Sequence, residues 1–139
     1  MASLGLHIDE LTKLIESCNS KFNFIGITET GFHDEIKAKH SAILPDFSHF
    51  DCCAESNKGG ARIYFSKELN TIPRPDLTIY KGKNVESVIR EVVNEEGNFI
   101  VACIYKHPKM DAEEFITLYN NLLDKLVIEK KKSNNHGGF

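Results

Sequence analysis

FIVACIYKHPKMDAEEF, residues 99–115, holds in one stretch the body of a strand, its stop and the start of a helix. Phe99–Tyr105 is apolar at both alternations, which predicts a strand buried on two faces and central in its sheet. Pro108 ends it, because proline carries no N–H for the ladder. Asp111 then suits an N-cap, and Glu113 and Glu114 favour the positive end of a helix. Phe115, Leu118, Tyr119, Leu122, Leu123, Leu126 and Val127 follow at helical spacing, and the helix is expected to run out over 129–132. Lys130–Lys132 there reads as a helix end meeting its own dipole, and the last seven residues, SNNHGGF, carry no element pattern. Upstream, Val85–Val93 alternates Val85, Ser87, Ile89, Glu91 and Val93 against Glu86, Val88, Arg90 and Val92, so it is a strand with two distinct faces. Glu95-Glu96-Gly97-Asn98 joins the two strands as a hairpin turn.

Further towards the N-terminus, Ile8, Leu11, Leu14, Ile15 and Cys18 form the apolar stripe of a helix over His7–Cys18. Phe22–Glu29 reads as a buried strand whose C-terminal tip carries Glu29, the position from which α/β proteins present side chains to a crevice. Residues 31–58 are weakly patterned and predict a long connection with a short helical turn near 34–40. Gly59-Gly60 leads into a strand over Ala61–Phe65, and Ser66–Asp76, with Pro73 and Pro75, reads as a turn or edge region. The turn at 95–98 is too short for a parallel crossover, so a layered α/β protein with a mixed sheet is expected.

At 139 residues the chain is expected to be one domain. Its 41% apolar and 27% charged content excludes a disordered tail, and no apolar run approaches the roughly 20 residues that a spanning helix needs. Net charge is −3, so no overall positive field draws nucleic acid to it. Cys18, Cys52, Cys53 and Cys103 form no CxxC pair, and the first and last sit in apolar segments as expected buried thiols. No secretory signal opens the chain, which makes a reducing, intracellular setting the expectation.

Three positions could carry chemistry. Glu29 is either a hard oxygen ligand for Mg²⁺ or a solvated loop carboxylate. Tyr105 is either a hydroxyl donor to a phosphate oxygen, with Lys106 or His107 adding charge, or a packing residue at a strand end. Glu86 either pairs with a base or sits at a solvated edge. The six histidines show no metal-ligand spacing, and Asn57-Lys58-Gly59-Gly60 lacks the full phosphate-loop pattern.

Taken in order, IDELTKLIESC, FNFIGITET, ESNKGGARIYFSKEL, NVESVIREVV and NFIVACIYKHPKMDAEEFITLYNNLLDKL resemble the endonuclease/exonuclease/phosphatase family over residues 3 to 130. The narrower resemblance is to the apurinic-type endonuclease domain of non-LTR retrotransposons. It implies a DNase I-like, four-layered α/β sandwich of mixed sheets, of which residues 3–139 would be the N-terminal portion. It implies Mg²⁺- or Mn²⁺-dependent nicking of DNA, in the nucleus for the parent element and with no membrane partner. By the same resemblance Glu29 matches the metal-binding glutamate and Tyr105 the tyrosine at the scissile phosphate. Lys106 stands where arginine is usual, and His107 where the first proline is usual. Arg62 replaces a small residue after the glycines, where a buried arginine without partners would be costly. Ser3-Leu4 matches the tail of the family's opening Asn-x-Asn-Ser-Leu-like motif, with Ala2 at the second Asn. Gly137 and Phe139 echo a Gly-Asp-Phe-Asn motif, with Gly138 in place of the Asp, and the Ser-Asp-His-like ending has no counterpart. The expectation is therefore a catalytically incomplete portion of a metal-dependent endonuclease, or a non-catalytic remnant serving as an interaction module.

Overall fold

The structure, a computed structural model, describes residues 4–17, 22–55, 58–81 and 84–137, with the backbone alone at 5, 6 and 133–137. The expectations that fall on Ala2, Ser3, Cys18, Asn57, Gly138 and Phe139 lie outside the described residues. In chain order the elements are α1 (Leu4–Ser17), β1 (Phe24–Thr28), α2 (Glu35–Lys39), β2 (Phe47–Cys52), β3 (Ala61–Ser66) and β4 (Asn70–Pro73), followed by a 3₁₀ turn (Pro75–Leu77), β5 (Val85–Val93), β6 (Phe99–Lys106) and α3 (Ala112–Gly137).

Two three-stranded sheets form, ordered β1-β3-β2 and β4-β5-β6. Every ladder in them is antiparallel, where mixed sheets were expected. The connection through α2 brings β2 back in the direction of β1, but β3 inserts between the two and runs against both. The observed class is thus a mixed α/β fold with two small antiparallel sheets and helices.

The strands show why these residues pair. Alternation in β3 sends Ala61, Ile63 and Phe65 to one face and Arg62, Tyr64 and Ser66 to the other, and all six are buried. The first set meets Val88, Val92 and Cys103 of the second sheet, so a continuous apolar core separates the sheets. On the opposite face Tyr64 packs with Leu4 and Leu44, and around them lie Ile8, Leu11 and Ile15 of α1. α3 covers the second sheet with Phe115, Leu118, Leu122 and Leu126 against Val85, Ile89, Ile100 and Ile104.

Several elements depart from expectation for identifiable reasons. Among the described residues β1 is an edge strand with alternating exposure, not a buried one: Ile25 and Ile27 face α1, while Phe24 is half exposed. β6 is the outer strand of its sheet among the described residues, not the central one. Both its faces are apolar because one meets the first sheet and the other meets α3. The 31–58 connection contains α2, capped by Asp34, which accepts from the amides of Ile36 (2.9 Å) and Lys37 (3.1 Å). It also contains β2, which the sequence hides: Phe47, His49 and Asp51 share one face with few β-branched residues to betray a strand. α1 begins three residues before His7, because the Leu4 amide donates to Thr30 O at 3.0 Å. α3 continues to Gly137, past 129–132, since each further helical residue adds a backbone bond without needing an apolar stripe.

Arg62 is wholly buried yet fully partnered. Nε and Nη2 grip Asp51 at 2.7 and 3.0 Å, while Nη2 also donates to Ala38 O at 2.7 Å. Nη1 donates to Ser41 O, Ala42 O and the Tyr64 hydroxyl at 2.9, 3.1 and 3.0 Å. The guanidinium also lies over the Phe32 and Tyr64 rings. A residue that reads as a liability thus ties α2, β2 and β3 together.

Candidate functional site

Glu29 follows the last residue of β1 and takes a left-handed backbone, φ 58°, unusual for a side-chain-bearing residue. Its amide donates to Gly60 O at 2.8 Å, and the Gly31 amide donates to Gly59 O at 2.9 Å, so the two glycines that open β3 hold the turn. Gly59 and Gly60 themselves sit at φ 97° and 95°. A Cβ on Gly60 would strike Thr30 Oγ1, and one on Gly59 would lie 2.6 Å from Glu86 Oε1 and 2.8 Å from the His107 ring. Glycine is required at both places by this close approach.

From the second sheet, Tyr105 donates its hydroxyl to Glu29 Oε1 at 2.7 Å. Glu86 lies directly opposite Tyr105 in the β5–β6 ladder and is wholly buried, not at a solvated edge. Its Oε1 accepts the Gly60 amide at 2.7 Å, and its Oε2 is 2.8 Å from His107 Nε2. His107, two residues after Tyr105, packs its ring edge-on to the tyrosine with centroids 4.8 Å apart. Glu29, Tyr105, His107, Glu86 and Gly60 therefore close into a ring of contacts bridging the ends of both sheets.

Burial, and then the Glu29 carboxylate, push the Tyr105 hydroxyl up to about 12, so at neutral pH it is a hydrogen-bond donor and not a base. The His107 ring is oriented by the buried Glu86 carboxylate. Lys106, one residue along the strand, falls on the opposite face from Tyr105, and its Nζ donates to His107 O at 3.2 Å. The structure thus joins Glu29 to Tyr105 and turns Lys106 away from them. Glu86 and His107 are the members that sequence reasoning underweighted. Period-two alternation from Tyr105 and the register with Glu86 carried the signal.

Mg²⁺ takes about six oxygen ligands in near-octahedral array, of which a protein often supplies only one or two carboxylates. Glu29 gives one carboxylate already bonded to Tyr105, and both oxygens of Glu86 are engaged. Among the described residues no group of three or more His, Cys, Asp or Glu side chains could hold a metal ion.

Nor is any described helix long and apolar enough to cross a membrane. No family model matches the chain, and no curated protein matches it significantly. Among solved structures, the endonuclease domain of TRAS1, a telomere-specific non-LTR retrotransposon, superposes with a TM-score of 0.55 at 11% sequence identity. The match covers 91% of this chain and 49% of that one, so the chain spans about half the length of the solved structure it matches. At that identity the likeness is one of fold: this chain shares the fold of about half of the endonuclease domain of a non-LTR retrotransposon.

Proposed function

We propose that the chain is a retrotransposon-derived, non-catalytic form of the endonuclease fold that works as an interaction module. The observation that carries this is the closed ring at the sheet ends. Glu29 is capped by the Tyr105 hydroxyl, Glu86 is spent on Gly60 and His107, and no multi-carboxylate group stands beside them among the described residues. The finer architecture in this proposal is a DNase I-like, four-layered sandwich in which residues 3–139 form one portion. With a net charge of −3, DNA is at most a weak partner. The test is a nicking assay of the 139-residue chain on supercoiled plasmid in Mg²⁺ and in Mn²⁺. No nicking above buffer is expected. Nicking that disappears in Glu29→Ala would overturn the proposal.

A second reading, a metal-dependent DNA endonuclease, draws on the meeting of Glu29 and Tyr105 at 2.7 Å from two different sheets. In it Glu29 serves as metal ligand, Tyr105 touches the scissile phosphate and Lys106 adds charge. This reading predicts metal-stimulated nicking that is weakened by Tyr105→Phe.

A further inference from the structure

The chain has three arginines, and two of them are paired with carboxylates. Arg62 holds Asp51, and Arg74 holds Asp76, Glu91 and Glu129. Arg90, half-buried, has no carboxylate partner among the described residues. Burial pulls its guanidinium below the usual arginine range, and no acid works against that pull. A charge drawn partly out of water with no opposite charge beside it is costly. Its known contacts fix the group without neutralising it. Nε donates to Thr71 Oγ1 at 2.9 Å, Nη2 donates to Thr71 O at 3.1 Å, and the guanidinium carbon stands 3.6 Å from the centroid of the Phe50 ring. Thr71 therefore occupies the Nε–Nη2 side of the fork and leaves Nη1 unused. Among the described residues no wholly buried side-chain nitrogen or oxygen lacks a partner, so Nη1 lies where solvent reaches it.

Arg90 borders a cleft of about 510 Å³. β4 ends at Pro73, opposite Arg90 in the ladder, and the cleft opens just past that end, between β5 and β2. Pro73, Pro75, Phe50 and Val88 give it apolar walls. The other charged groups at its rim are already compensated. Asp51 is spent on Arg62, and Arg74 is spent on its three carboxylates. On α2, Lys39 stands one turn from Glu35 and offsets it. Burial, and then Arg62, hold the His49 imidazole below its usual value, so it is neutral at pH 7. Arg90 is thus the charge that the cleft leaves unanswered.

The geometry points to a binding site for a small organic anion, with its oxyanion on the free Nη1–Nη2 end of Arg90 and its apolar body against Pro73, Pro75 and Val88. The guanidinium end presents two N–H groups side by side, which matches two oxygens of a carboxylate or a phosphate. Stacking on Phe50 and the two bonds to Thr71 hold the fork before a ligand arrives, so little side-chain freedom is lost on binding. The cleft has the volume of an ordinary small-molecule site. Carboxylate and phosphate share this recognition, and the titration below separates them. The inference goes beyond the proposed function and holds whether or not the chain cleaves DNA.

With three arginines, the ¹⁵N-labelled chain gives three Nε–Hε resonances, and substituting each arginine in turn assigns them. Benzoate and phenyl phosphate are titrated separately, with sodium chloride at matched ionic strength as the reference. The Arg90 resonance should move saturably, with a dissociation constant on the order of 1 mM, while those of Arg62 and Arg74 stay in place. Saturation by one ligand and not the other supports the inference and names the oxyanion. Arg90→Lys keeps the charge but loses the flat fork, and backbone amide shifts around the cleft should then report binding weakened about 10-fold or more. Arg90→Gln should abolish it, with circular dichroism checking that each variant is folded. If both variants fail to fold, the wild-type titration decides alone. No saturation by either ligand up to tens of millimolar would overturn the inference. So would a shift that chloride reproduces at all three arginines, or binding undiminished in folded Arg90→Lys and Arg90→Gln.

Discussion

Asp51→Ala is the sharpest probe of what holds the middle of this chain in place. It removes the two charge-assisted bonds that Arg62 makes at 2.7 and 3.0 Å and leaves the guanidinium wholly buried. Each such bond contributes about 1.5–3 kcal/mol, and removing one partner of a buried ion pair costs about 3–5 kcal/mol. Two features reduce the loss. The Asp51 side chain is 11% exposed, so water reaches its position, and Arg62 keeps Ala38 O, Ser41 O, Ala42 O and the Tyr64 hydroxyl. A destabilisation of about 2–4 kcal/mol is expected. For a urea slope of about 2 kcal/mol/M this moves the unfolding midpoint down by about 1–2 M. The assay is equilibrium urea unfolding followed by circular dichroism and tyrosine emission, since the chain has no tryptophan. Repeating Asp51→Ala in an Arg62→Met background completes a double-mutant cycle, and there the substitution should cost little because the charge it served is gone. A loss below about 1 kcal/mol in the wild-type background, or strict additivity in the cycle, would refute the idea that this pair anchors α2 and β2.

Further outcomes follow from the site and the thiols. Gly59→Ala sets a Cβ against Glu86 Oε1 and the His107 ring at a positive φ, and it should cost about 1–3 kcal/mol by thermal or urea unfolding. The Tyr105 hydroxyl is held up to about 12 against an unfolded value of about 10, so the folded state binds its proton more tightly. Its stabilising contribution is complete below the unfolded value and is lost as pH rises from about 10 to about 12. Phenolate absorbance of the wild type minus that of Tyr105→Phe should show this late midpoint, and Glu29→Gln should bring it down. Burial raises the Cys52 and Cys103 thiols, and Cys53 is pushed up to about 11. Site-resolved alkylation at pH 7 should therefore be slow at all three and should quicken steeply in alkaline buffer.

Sequence periodicity reached the elements whose side chains follow a single burial rule. The two faces of β5 are those that its alternation predicts, with Val85 and Ile89 under α3 and Val88 and Val92 between the sheets. Asp111 caps α3 as expected, its Oδ2 accepting the Glu114 amide at 3.3 Å. What stayed hidden depended on partners far along the chain. β2 is held by Arg62 and Tyr64 of β3 and not by an apolar pattern of its own. β6 mimics a central strand because helix and opposing sheet bury its faces, although among the described residues it pairs with β5 alone. At the candidate site, Glu29 and Tyr105 each stood out singly, but their hydrogen bond spans 76 residues and two sheets, which no spacing within one element reveals. Lys106 illustrates the reverse: adjacency in sequence puts it on the wrong side of the strand to join Tyr105.

The left-handed backbone at Glu29 carries an evolutionary consequence. A side chain at φ 58° costs roughly 1 kcal/mol or more that glycine would not, and asparagine would suffer less. Selection for folding alone would therefore let position 29 drift to Gly or Asn, with a small gain in stability at each such step. Persistence of glutamate at that position in homologous sequences would record a pressure other than stability, and its replacement there by glycine would show that no such pressure acts.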